Sequence, residues 1–184
     1  MSWLEMVESK VGDWTLMHQL AQEAKRVLNH DQVPGGGHRS PARVVLVNGT
    51  FDILHPGHVR RFYKALEHGE ILIVSIDRDE DVRRAKGQGR PALRWDDRAF
   101  MVAALPIVAG VTYHSNAPCW FRPAGDYSLP SLIRFLRPDI WVRREEAPVA
   151  LELDAAFQAY VRVVKLERQG SWSSTDILRR LAPF

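Results

Sequence analysis

The sequence predicts an α/β fold built on a mostly parallel sheet, and three observations carry that prediction. Continuously apolar runs recur along the chain, "RVVLV" and "EILIVSI" among them, as in strands buried on both faces. Between them lie segments with apolar residues at helical spacing. The alternation of the two calls for right-handed crossovers that place helices over one sheet.

The elements follow in order. Leu16, Leu20, Ala24, Val27 and Leu28 mark a helix over Trp14 to Leu28. His30 to Pro41, "HDQVPGGGHRSP", sets three glycines between two prolines and reads as a linker. A phosphate loop would need Lys-Ser/Thr and a helix after those glycines, and here a strand follows. Residues 1–41 are thus an N-terminal helical segment with its linker, and 42–184 the α/β domain. The first strand is Arg43 to Val47. A helix over Gly57 to Glu67 follows, with Gly69 as its C-cap. Glu70 to Ile76 is the second strand, and Asp77 to Leu93 a polar connection. A helix covers Trp95 to Leu105, and Ile107 to His114 forms the third strand. "SLPSLIRFLRPDIWV" gives a helix ending before Pro138 and then the fourth strand. "AYVRVVKL" is the fifth strand, and the last helix opens at "SSTD".

Composition narrows the class. The 184 residues suit one α/β domain with a sizeable core. Basic residues number 25 against 22 acidic, a net +3, which suits a small anionic substrate as well as anything larger. No recognition motif points to nucleic acid. Cys119 is the single cysteine, so no intramolecular disulfide forms. No apolar run approaches the roughly 18 residues that span a bilayer. Glu5, Glu8 and Asp13 do not suit a secretory signal. A soluble, cytoplasmic protein without a membrane partner is expected.

In parallel sheets ligands sit beyond the carboxyl ends of the strands, where strand order reverses. "NGTFDILHPGH", Asn48 to His58, lies at such an end. Gly49 permits close backbone approach, and Pro56 fits a first helical turn. That helix start directs free N–H groups and partial positive charge at a bound group. The imidazoles of His55 and His58 add donors there, which suits phosphate chemistry. Zinc would need further ligands, but Cys119 stands alone and His114 lacks a partner motif. No protein-held metal is expected.

"GTFDILHPGH" resembles the GxFDxxHxGH signature of the cytidylyltransferase-like nucleotidyltransferases, whose fold is a Rossmann-like α/β domain. The resemblance continues through "RRAKGQGRP" (Arg83 to Pro91), "DDRAFMVAAL" (Asp96 to Leu105) and "SSTDIL" (Ser173 to Leu178), in order. Within that superfamily the chain looks most like the nucleotidyltransferase domain of ADP-heptose synthases. Glycerol-3-phosphate cytidylyltransferases are also similar around the histidines. Pantetheine-phosphate and nicotinamide-mononucleotide adenylyltransferases carry proline where this chain has Ile53.

The resemblance implies that His55, His58 and Lys86 are the catalytic set, the histidines on the α- and β-phosphates and the lysine on the β/γ-phosphates. It places Asn48, Gly49, Thr50, Phe51, Asp52, Gly57, Arg90, Arg98, Ser173, Ser174 and Thr175 on the nucleotide. Read by themselves, Lys86 is also a solvated loop lysine and Arg98 a surface helix arginine. The serines and threonine equally form an N-cap. Mg²⁺ is expected with the triphosphate, because the leaving pyrophosphate carries concentrated charge.

The acceptor side departs from the resemblance. Arg143, Arg144, Glu145, Glu146 and Ala147 stand where heptose enzymes have Lys-Gly-Gly-Asp-Tyr, and His114 to Ser128 is longer and different. Asp77, Asp79, Arg143 and Arg144 are the acceptor-side candidates. The two arginines suit a phosphate or, beside Glu145 and Glu146, a solvated loop. Trp141 and Trp172 read as core or as stacking platforms for a sugar or base.

The implied activity is transfer of a nucleoside monophosphate, ATP favoured as donor, to a heptose-like sugar 1-phosphate. Cytidylyl transfer to a polyol phosphate or phosphonate is the alternative. A nucleotide-binding regulatory module without turnover is the reading from another class, opposed by retention of both histidines and the lysine. A homodimer is implied as well, with Trp3 to Leu28 as its docking element.

Overall fold

The computed structural model describes residues 1–30, 41–115, 128–145, 160–168 and 170–181, the side chains of 28–30 excepted. Most of the Gly/Pro-rich linker, Cys119, most of the divergent loop after His114, and Glu146 and Ala147 lie outside the described residues. Five strands pair in parallel in the order β3–β2–β1–β4–β5. They are β1 (Val44–Gly49), β2 (Ile71–Asp77), β3 (Gly110–His114), β4 (Ile140–Arg144) and β5 (Arg162–Leu166). The helices are α1 (Trp3–Glu8), α2 (Trp14–His30), α3 (Pro56–Leu66), α4 (Asp79–Lys86), α5 (Trp95–Ala103), α6 (Leu129–Leu136) and α7 (Ser174–Leu181). The expected α/β class with helices flanking a parallel sheet holds.

Alternation along the central strands builds two cores. Val45 and Val47 of β1, with Leu72, Val74 and Ile76 of β2, bury against Phe62 of α3, Val102 of α5 and Val7 of α1. Val44, Leu46, Ile71 and Ile73 face the other way, onto Met17 and Ala21 of α2 and Leu132 and Ile133 of α6. A period of two in side-chain direction makes this division. The order reverses at β1, whose neighbours are β2 and β4, so a crevice opens beyond its carboxyl end.

Several elements differ from expectation. Gly69 does not cap α3, whose C-cap is Glu67 in right-handed geometry. Glycine is required there because a Cβ would lie 2.7 Å from Val45 Cγ2 and 2.9 Å from the Arg43 carbonyl. The polar connection after β2 contains α4, which buries only Asp81 and Val82. Its acidic first turn and basic last turn complement the helix dipole. α1 forms ahead of the expected helix, opened by a capping box between Ser2 and Glu5. α6 does end before Pro138, through Arg137 in the left-handed region at φ 49°.

Candidate active site

β1 ends in Asn48 and Gly49, and the chain turns sharply at Phe51, a non-glycine residue at φ 49°. Such a conformation is strained and persists where surrounding packing holds it. Phe51 is buried, its ring 5.0 Å from His58 and 5.2 Å from Phe62. A Cβ on Gly49 would sit 3.2 Å from that ring. His55 is the N-cap of α3 in extended geometry, Pro56 and Gly57 open the helix, and His58 completes its first turn. The two imidazoles stack, with centroids 3.7 Å apart and planes 18° from parallel.

Both histidines are held neutral. Burial, and then the proximity of His55, Arg61, Arg144 and Lys86, pushes the His58 pKa down to about 3. Burial chiefly lowers that of His55, with Arg168 adding to it. The Nδ1 atoms of both are buried without a partner among the described residues. An anion brought here meets stacked donors and surrounding cations, and would raise both pKa values.

The β2 side of the crevice is a chain of hydrogen bonds and ion pairs within the protein. Thr50 Oγ1 donates to Asp77 Oδ2 at 2.7 Å and accepts from Lys86 Nζ at 3.3 Å. Desolvation and Arg90 lower the Lys86 pKa. Behind Asp77, His114 Nε2 lies 3.0 Å from Oδ1 while its Nδ1 shares a 2.9 Å hydrogen bond with Ser75 Oγ. Asp52 is buried, accepting from Arg90 Nε and from the Ala92 N–H, each at 2.7 Å. Arg98, read from sequence as a surface arginine unless it served the nucleotide, is fully buried. Its guanidinium donates to the Leu93 carbonyl at 3.1 Å, to Asp79 Oδ1 at 2.6 Å, to the Asp77 carbonyl at 2.8 Å and to the Thr50 carbonyl.

α7 closes the site from above. Ser173 Oγ accepts from the Asp176 N–H at 3.4 Å, as a cap does. Ser174 Oγ donates to the Ile53 carbonyl at 3.2 Å, and Thr175 Oγ1 accepts from Arg90 at 3.3 Å. A groove of about 530 Å³, lined by Leu54, His55, Pro56, Val59, Arg60 and Tyr63, runs from the histidines along α3. A second hollow, about 610 Å³, lies at the opposite end of β4 and β5 around Arg137 and Tyr160, away from the histidines.

Residues 46–180 match the family described as cytidylyltransferase-like. The chain belongs to that family. It is 41% identical over 107 residues to the D-beta-D-heptose 1-phosphate adenylyltransferase of Bordetella bronchiseptica, covering 57% of this chain and 59% of that protein. It is 37% identical over 143 residues to the bifunctional protein HldE of Helicobacter pylori strain J99, covering 78% of this chain and 28% of that one. The matched part is therefore less than two thirds of either relative. In fold it is similar to a crystal structure of the lipopolysaccharide core biosynthesis protein from Thermoplasma volcanium, with a TM-score of 0.58 at 20% identity over 70% of this chain and 99% of that one.

Within this cytidylyltransferase-like site the structure gathers His55, His58, Lys86, Thr50, Asp52, Asp77, Arg90, Ser174 and Thr175 around one crevice. Asn48 faces away, its Oδ1 accepting from the indole of Trp141 at 2.9 Å. Trp141 is buried, so of its two readings the core one holds; Trp172 is exposed. Arg143 is buried and donates to the Arg144 carbonyl at 3.3 Å, while Arg144 is exposed and close enough to depress His58. Two contributors went unread. In the sequence His114 suggests only a metal ligand, and the signal for Arg61 is that it follows His58 by three residues on one helix face.

Proposed function

We propose that this chain is a nucleotidyltransferase that moves a nucleoside monophosphate from a triphosphate to a sugar phosphate. The observation that carries the reading is the stacked His55–His58 pair, held neutral at the start of α3 among Lys86, Arg90, Arg61 and Arg144. Membership of the cytidylyltransferase-like family and the names of its relatives support it.

The acceptor's phosphate, already anionic, attacks the α-phosphorus, and pyrophosphate leaves. No general base is needed, so catalysis is positioning and charge stabilisation. His55 and His58 donate to phosphate oxygens as charge builds, in a site whose dipoles are set before the reaction. Lys86, oriented by Thr50, holds the leaving end. Asp52 fixes the Arg90–Leu93 segment that brings Arg90 to the site. Among the described residues no group of three or more His, Cys, Asp or Glu side chains is arranged for a metal. Asp52, Asp77 and Asp79 are each engaged by protein donors. Mg²⁺ brought with the triphosphate would neutralise the charge that concentrates on the leaving pyrophosphate.

The relatives' names favour ATP as donor and a heptose 1-phosphate as acceptor. A homodimer is part of the same reading. The test is pyrophosphate release from ATP, CTP, GTP and UTP against sugar 1-phosphates and polyol phosphates. One pair should turn over in the wild type and not in His58→Ala. Release that persists undiminished in the variant contradicts the proposal.

A further inference from the structure

Arg61 sits one turn after His58 on α3, with its side chain in the gap between β1 and β4. It donates to the Val142 carbonyl at 3.1 Å, and its Nη1 lies 3.5 Å from where a Cβ on Gly49 would be. It is only 7% exposed, and its Nε has no partner among the described residues. On the opposite wall of the crevice, buried Arg98 meets Asp79 at 2.6 Å and half-buried Arg90 meets Asp52 at 2.7 Å. Arg61 is in none of the ion pairs found among the described residues. Its environment instead opposes its charge, for burial and then Arg144 hold its pKa down to about 9, which Asp77 only partly offsets. A buried guanidinium left without a counter-charge is costly, and a ligand anion removes that cost.

We propose that Arg61, with Arg144 beside it, is the subsite for the acceptor's phosphate. Calling the anion an acceptor rests on the function proposed above; the anion subsite does not. The chemistry fits a phosphate monoester dianion, which a guanidinium fork grips through two oxygens. The placement fits too. Arg61 approaches His58 from the β4 side, whereas Lys86 reaches Thr50 from the β2 side. A nucleophile at Arg61 and a pyrophosphate at Lys86 then flank an α-phosphorus at the histidines, as in-line displacement requires. Arg61 becomes a specificity residue, selecting acceptors that carry a free phosphate.

The test is calorimetric titration of inorganic phosphate into the protein, with and without saturating α,β-methylene-ATP or its cytidine counterpart. The proposal expects phosphate binding in the wild type. It expects a loss of at least about tenfold in Arg61→Met and a smaller loss in the exposed-site variant Arg144→Gln, with analogue affinity held within about threefold. Absence of phosphate binding to the wild type overturns it, as does unchanged phosphate affinity in both variants. So does a parallel loss of analogue and phosphate binding in Arg144→Gln, which would give these arginines to the triphosphate. If neither analogue binds while phosphate binding depends on Arg61, the proposed function fails and the subsite stands.

Discussion

The two sides of the crevice handle positive charge in opposite ways. On the β2 side Arg98 is bound by Asp79 and backbone carbonyls, Arg90 by Asp52, and His114 lies against Asp77. On the α3–β4 side burial and the nearby His55, Arg61 and Arg144 depress the protonation of His58, and burial and Arg144 depress that of Arg61. Charge answered within the protein builds the walls of the site. In the proposed function, charge left unanswered is where substrate phosphates complete the site.

The largest expected effect breaks the symmetry between two buried arginines. Arg98→Met strands Asp79 and three carbonyls, and should cost about 3–5 kcal/mol in chemical denaturation. Arg61→Met removes an unanswered charge and should be neutral or stabilising by up to about 3 kcal/mol, while acceptor KM rises. Equal destabilisation by the two would erase the distinction. Next, His58→Ala should lower kcat by about 10²–10³, the scale of losing one preorganised donor, with the circular dichroism spectrum unchanged.

A smaller effect appears in pH. The folded-state pKa of His58 is near 3, below its unfolded value. Its contribution is thus intact above about pH 6.5 and is lost as pH falls, because the unfolded chain binds the proton first. Between about pH 6.5 and 5 the wild type should lose about 1–2 kcal/mol more than His58→Gln, read from urea midpoints. Bound triphosphate should narrow that gap. The smallest effect is on the satisfied side: Thr50→Val removes the donor to Asp77 and the acceptor of Lys86. It should cost about 1 kcal/mol of stability and raise the triphosphate KM more than the acceptor KM.

Much of this was legible in the sequence for physical reasons. Strands buried on both faces must be apolar throughout, so β1 and β2 announced themselves, and the Asn48–His58 motif placed the site at the end of β1. α4 was missed because it has almost no apolar face; its charges, acidic then basic, were the signal. α1 was missed although Ser2 and Glu5 spell a capping box. Gly69 was given the wrong duty, since its tight approach to Val45 depends on a strand distant from any cap. Whether a side chain is answered by a carboxylate or left open is a tertiary fact. Arg61 and Arg98 therefore look alike in one dimension and opposite in three.

The most direct measurement follows the label of a radioactive triphosphate. The protein is incubated with a sugar 1-phosphate and either α- or γ-labelled ATP or CTP, and the products are separated. Nucleotidyl transfer at the histidine pair predicts α-label in the sugar nucleotide, γ-label in pyrophosphate, and loss of both in His58→Ala. γ-Label arriving on the sugar, or α-label transferred equally by the variant, would contradict it.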